Sequence, residues 1–144
     1  MPDAISFYRE LEELSQRHAK LVKRLEMYTR RLRADPSDEE LQERVLLYLR
    51  KLRVIRNKLI RRLEEGIDFS DQSSASIAAK EGIEILSEYM VLGGLYLEKE
   101  VLQDVLKLAE SKRGARLLEA ATEDIKRDIE EVNRLEELLQ QLHG

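Results

Sequence analysis

The sequence predicts an all-α protein: long antiparallel helices forming two helical hairpins, four-helix-bundle-like, with coiled-coil seams. Three observations carry this. Apolar residues recur in alternating steps of three and four over residues 4–32, and again over residues 118–142. Leu, Glu, Arg and Lys dominate, and two prolines and six glycines leave little material for turns. Pro36, Gly66 and Gly114 mark three breaks, residues 34–37, 66–75 and 112–114, and the stretches between them are long. A chain of 144 residues is expected to be one structural domain. Within it, residues 1–66 form a basic N-terminal hairpin and residues 67–144 an acidic C-terminal one.

Asp3 is placed to cap the first helix. Its seam reads Ala4, Phe7, Leu11, Leu14, His18, Leu21, Leu25, Tyr28, Leu32, a rod of about 45 Å at 1.5 Å per residue. Pro36 blocks continuation. Ser37 with Glu40 reads as a capping box for a second helix over residues 38–65, and Gly66 is its stop. A short connection between two long helices favours an antiparallel pair.

Residues 66–75, GIDFSDQSSA, are the one linker. Phe69 is expected to pin it to the bundle, and Ser73 or Ser74 to cap the next helix. The third segment is expected over residues 75–111. Gly82 and the pair Gly93-Gly94 mark either a kink or the close approach of another backbone, and close approach is the favoured expectation. Residues 89–97, YMVLGGLYL, are apolar on all sides and are expected to be the most buried part of the molecule. After Lys112-Arg113-Gly114, a last helix over residues 115–142 carries the seam Leu118, Ala121, Ile125, Asp128, Val132, Leu135, Leu139, Leu142.

Charge supplies the functional signal. The net charge of −4 argues against generic nucleic-acid affinity, but it hides a split. Residues 1–66 hold 16 basic and 12 acidic side chains, residues 67–144 hold 9 and 17. The cations concentrate in residues 44–63, RVLLYLRKLRVIRNKLIRRL, with eight cations and no anion in twenty positions. On a helix, Val45, Leu49, Leu52, Leu59 and Leu63 fall on one side, and Arg50, Lys51, Lys58, Arg61 and Arg62 gather on the other. Arg56 points into the apolar stripe, where its stem lies along a seam with its head reaching out, or it meets a carboxylate. The outward cations have two candidate partners: the acidic last helix of the same chain, or a phosphate backbone.

Other chemistry is thinly supported. Without cysteine there is no disulfide and no thiolate site. Glu81, Glu84 and Glu88 share a helix face, but a ferritin-like centre also needs histidines beside the carboxylates, and only His18 and His143 exist. His18 reads as a packed or register-setting group on its seam, and His143 as part of a frayed end. No phosphate loop, nucleophile elbow or Cys–His pair is present. Neither catalysis nor a cofactor is expected. The longest uncharged apolar run has nine residues, about half a membrane span. With no apolar run in residues 1–10, the chain is expected to be soluble, without a signal peptide, and cytoplasmic or virion-borne. High Glu and Arg content suits a thermophile.

The basic hairpin of residues 4–65 and the acidic remainder together resemble the α-helical coat proteins of rod-shaped and filamentous archaeal viruses. That resemblance implies an N-terminal hairpin that wraps double-stranded DNA and a helical remainder that packs the outer wall. A shorter stretch, residues 79–88 followed by Gly93-Gly94 and a coiled-coil tail, is similar to a segment of the mitochondrial optic-atrophy family, whose apolar stretch at this point is longer.

The function expected is therefore structural and non-enzymatic: a self-associating coat or packaging nucleoprotein binding nucleic-acid backbone without sequence preference. Arg50, Lys51, Lys58, Arg61 and Arg62 would carry the contacts, with Arg30, Arg31 and Arg33 at the hairpin tip. The first alternative is a coiled-coil scaffold or adaptor that binds partner helices, in a homo- or hetero-oligomer of helical-bundle proteins, and meets no nucleic acid. The second is a ferritin-like metal-binding bundle.

Overall fold

The computed structural model describes residues 1–142, and His143 lies outside the described residues. Six helical segments form four rods: α1 (Ala4–Ala34), α2 (Glu39–Glu65), α3 (Ser74–Leu92) with α4 (Gly94–Glu110), and α5 (Arg116–Ala120) with α6 (Thr122–Gln141). α1 packs on α2 and on α3/α4, and α6 packs on α2 and on α3/α4, which closes a four-sided bundle. The rods alternate in direction. α3/α4 runs parallel to its neighbour α1, with Gly82 against Tyr8 and Gly94 against His18. α6 runs parallel to α2, where Arg53 and Arg56 meet Asp128 and Glu131. The linker between α2 and α3 therefore crosses the end of the bundle. It is tied there by the Asp68 amide donating to the Pro2 carbonyl at 2.8 Å, and by the half-buried Phe69 beneath Lys80.

Local chemistry explains the helix ends. Asp3 caps α1, accepting from the Ser6 amide at 2.8 Å. The cap of α2 is Asp38, which accepts from the Leu41 amide at 3.0 Å, and not the box at Ser37; the Ser37 hydroxyl turns back toward Asp35. A carboxylate one residue nearer the helix is the stronger acceptor for a free amide beside the positive end of the dipole. Gly66 ends α2 at φ 91°, a conformation that suits glycine. Ser73 caps α3.

Each rod buries one stripe. α1 buries Ala4, Phe7, Leu11, Leu14, His18, Val22, Leu25, Thr29 and Leu32. Beyond His18 the seam has slid by one residue twice, with Val22 and Thr29 replacing the expected Leu21 and Tyr28. An α-helix turns every 3.6 residues, so a strict heptad drifts around a straight rod, and α1 serves two neighbours with that drift. Val45, Leu49, Leu52 and Leu59 are buried on α2, as are Ile125, Asp128, Val132, Leu135 and Leu139 on α6.

Three expectations are corrected. The third segment breaks at Gly93 (φ −113°, ψ −90°), while the Gly93 amide still bonds to the Tyr89 carbonyl and the Leu97 amide to the Gly93 carbonyl. The rod is thus bent but continuous, and what lies close to Gly94 is a side chain rather than the backbone expected: a Cβ there would sit 2.8 Å from His18 Nδ1. The final helix is also divided, at Ala121. Most consequentially, residues 89–97 are not the most buried part of the molecule. Met90 and Leu95 are buried, but Tyr89, Leu92 and Tyr96 are 72%, 71% and 57% exposed. α3/α4 has neighbours on two sides only, so a run that is apolar all round must leave one side open.

Candidate functional site

Two sets of cations diverge on α2. The inward set is Arg56 and Arg53. Arg56 is fully buried, and its guanidinium bridges Glu98 of α4 and Asp128 of α6, each at 2.5 Å, with Glu131 at 3.4 Å. Asp128 also receives both forks of Arg53, at 2.8 and 2.7 Å. That paired hydrogen bond, opposed by partial burial, holds Arg53 above its usual pKa. Glu98 completes the network toward α1, with His18 Nε2 at 2.8 Å from its other oxygen. His18, Glu98 and Asp128 are all at most 1% exposed. One buried cation thus ties three rods together around two buried carboxylates, and the imidazole brings in the fourth.

Such an arrangement holds registers. Each charge is costly to bury and is tolerated because its partners are fixed in place. Among the described residues, no group of three or more His, Asp or Glu is disposed to hold a metal ion. Between Glu98 and Asp128 the guanidinium of Arg56 takes the position a cation would need. Glu81 and Glu88, carried at sequence level as a possible inward acidic face, point to solvent, and Glu84 is half-exposed.

The outward set behaves differently. Arg50, Lys51, Lys58 and Arg61 are exposed, and among the described residues none has a carboxylate within 4.0 Å. Lys51 lies over the Tyr48 ring at 5.1 Å. Arg62 is engaged by Glu10 of α1 at 3.2 Å and by Glu65 at 3.7 Å. At the hairpin tip, Arg30 pairs with Glu26 at 3.6 Å, Arg31 sits 5.9 Å above the Tyr28 ring, and Arg33 reaches Asp104 of α4 at 3.0 Å. The eight residues singled out in sequence thus differ in their partners. Four on α2 have no carboxylate in reach, one of them lying over Tyr48; three are ion-paired, and Arg31 lies over Tyr28. None of the eight touches α6; the two arginines that do, Arg53 and Arg56, are others.

Pairing α1 with α2 also creates a groove that neither helix shows alone. It is an open cleft of about 480 Å³. Leu14, Leu21, Tyr48, Val54 and Ile55 form its floor, with Val54 67% exposed. Arg17, Lys20 and Arg24 line it from α1, and Lys51 and Lys58 from α2, with no carboxylate in the lining. At one end Tyr28 and Tyr48 stack at 5.5 Å, and Arg24 donates to the Tyr48 hydroxyl at 3.3 Å. That hydrogen bond holds the Tyr48 phenol below its usual pKa against the effect of burial, helped by the charges of Arg24, Lys51 and Arg44.

Comparison with known proteins places no relative beside these features: no family model, no curated protein and no solved structure matches the chain. No helix among the described residues is long and apolar enough to cross a membrane.

Sequence reasoning missed Glu98, Arg53 and the α1 side of the groove. Glu98 was legible: Leu95, Glu98, Leu102 and Val105 repeat at seam spacing, which makes Glu98 the polar member of a buried series, like His18 and Asp128. Arg17, Lys20 and Arg24 carried no such signal, since they face α2's cations only once the hairpin closes.

Proposed function

We propose that the protein is a non-enzymatic assembly module that docks an acidic amphipathic helix in the cationic groove of its first hairpin. One observation supports this above the others: the groove combines an exposed apolar floor with cations on both sides and no carboxylate. A phosphate backbone would engage the cations and leave Val54 and Leu21 wet, whereas a helix with an apolar stripe and acidic flanks would satisfy both. The floor supplies the area-dependent part of binding, and the lysines and arginines orient the partner and select its charge.

The test uses a fluorescent 20-residue helical peptide with an apolar stripe and glutamate flanks. Binding is expected, only modestly weakened by salt, and lost when Val54 is changed to Asp or when Lys51 and Lys58 are both changed to Glu. A peptide of the same stripe with lysine flanks is expected not to bind. Equal binding of both peptides, or of neither, rejects the reading.

A second reading has its own observation. Arg50, Lys51, Lys58 and Arg61 are exposed cations unclaimed by any carboxylate of the described chain, which supports contact with nucleic-acid phosphates in a coat or packaging role. That role predicts retention on duplex DNA at low salt, falling steeply as salt rises. Charge reversal at Arg50, Lys58 and Arg61 would abolish it without lowering the melting temperature. DNA binding that survives this triple reversal excludes the reading.

A further inference from the structure

The outer side of α3/α4 carries a surface that the groove's chemistry fits. Ile85, Tyr89, Leu92 and Tyr96 are all more than half exposed and follow one another by four, three and four residues. On a helix this spacing makes a single stripe, which here continues across the break at Gly93. Glu81, Glu88 and Glu100, all exposed, flank it. A run of four large exposed apolar residues on one helical face marks an interaction surface rather than ordinary scatter.

We infer that the occupant of the groove is this stripe on a second copy of the same chain. The inference rests on the helix-docking reading and names its partner. Three features support the match. First, the charges are complementary: acidic flanks on the stripe, basic sides on the groove, each without the opposite sign in its own apolar centre. Second, the lengths agree. The groove runs from Leu14 to Arg24 on α1 and from Tyr48 to Lys58 on α2, about 15 Å, and the stripe from Ile85 to Tyr96 is about 17 Å, at 1.5 Å per residue. Third, the two surfaces lie on different rods of one molecule, so neither covers the other within the chain. Each copy that docks its stripe keeps its own groove open. The contact is heterologous, and it propagates into a ring or a filament according to the rotation between copies.

The experiment is a charge-swap pair followed by sedimentation velocity. The groove variant carries Lys51→Glu and Lys58→Glu; the stripe variant carries Glu81→Lys and Glu88→Lys. All four positions are exposed, so both variants are expected to keep the wild-type circular dichroism and melting temperature. Wild type is expected to gain mass with concentration beyond a monomer. Each variant alone is expected to stay monomeric: the groove variant keeps three lining cations against two new glutamates and loses most of its pull on the acidic stripe, and the stripe variant presents a cationic stripe to a cationic groove. An equimolar mixture is expected to form a one-to-one complex, since the stripe variant's unaltered groove meets the groove variant's unaltered stripe. Leu92→Glu is expected to remove assembly without altering the charge of the groove. Wild type that is monomeric at every concentration, assembly that persists in Leu92→Glu, or a mixture that stays monomeric would each overturn the inference. If the acidic test peptide still binds the groove while wild type remains monomeric, only the identity of the partner fails. If the peptide does not bind either, the helix-docking reading fails with it.

Discussion

Arg56 and Lys58 stand two residues apart on α2 and meet opposite fates. Arg56 is sealed among Glu98, Asp128 and Glu131, while Lys58 lies open beside Val54 with no anion in reach. Two positions are 200° of helix, so the first faces the bundle axis and the second faces away. The difference teaches that charge density along a sequence says little about what the charges do. Eight cations in twenty residues read as one basic tract, yet the helix sorts them into a structural pair on the inside, Arg62 paired with Glu10 of α1, and an unclaimed set on the outside. The inner set fixes how four rods register; the outer set is free for a partner.

The comparison is broken most severely from the inside. Arg56→Met leaves Glu98 and Asp128 buried beside an apolar side chain, a change that costs about 3–5 kcal/mol when one member of a buried pair is removed. The expected result is a large drop in the urea midpoint. Adding Glu98→Gln and Asp128→Asn to Arg56→Met is expected to recover part of the loss, since the orphaned charges are then gone. Failure of that recovery would show that packing by Arg56, and not charge pairing, holds the centre.

Next in size is the close approach beneath the network. Gly94→Ala places a Cβ 2.8 Å from His18 Nδ1, and His18 is buried and held by Glu98. Overpacking of this kind costs about 1–3 kcal/mol. Gly82→Ala meets the Tyr8 ring at 2.4 Å, but Tyr8 is only half-buried and can swing outward. Thermal melts of the two variants are expected to show Gly94→Ala as the more destabilised, although its clearance is the larger.

The outside set is expected to be almost silent in stability. Lys51→Glu with Lys58→Glu should shift the unfolding free energy by less than about 0.5 kcal/mol per site, as exposed substitutions do, while removing binding in the groove. A melting shift as large as that of Arg56→Met would erase the distinction between the two faces.

The smallest effect sits in the linker. Asp71 accepts from the Ser73 amide at 2.9 Å and from the Ser73 and Ser76 hydroxyls. These hydrogen bonds hold its carboxyl below the usual carboxylate range, the Ser73 amide contributing most. A depressed folded pKa favours the native state above the ordinary aspartate value and loses that contribution as pH falls through the folded one. Asp71→Asn is therefore expected to flatten the loss of stability below about pH 4, read as a shallower slope in acid titrations followed by circular dichroism. An unchanged slope would remove Asp71 from the acid response.

Much of the candidate chemistry was legible in part. The exceptions on the seams (His18, Arg56 and Asp128) each broke an apolar series, and the fold brings all three into one network. Glu98 broke a series too, in a segment whose glycines drew attention elsewhere. The apolar run of residues 89–97 misled because hydrophobicity reports a tendency to leave water and does not say whether the molecule has enough neighbours to cover it.

The sequence by itself determined the four rods, most of their ends and most of the inner stripes of α1, α2 and α6, because periodicity, capping and breakers act over a few residues. Only the tertiary structure decided that His18, Arg56, Glu98 and Asp128 meet, that α1 and α2 enclose a cation-lined groove, and that Tyr89, Leu92 and Tyr96 are left outside. Those outcomes depend on which helices are neighbours, and neighbours far apart in the chain are chosen by the joint packing of all four rods.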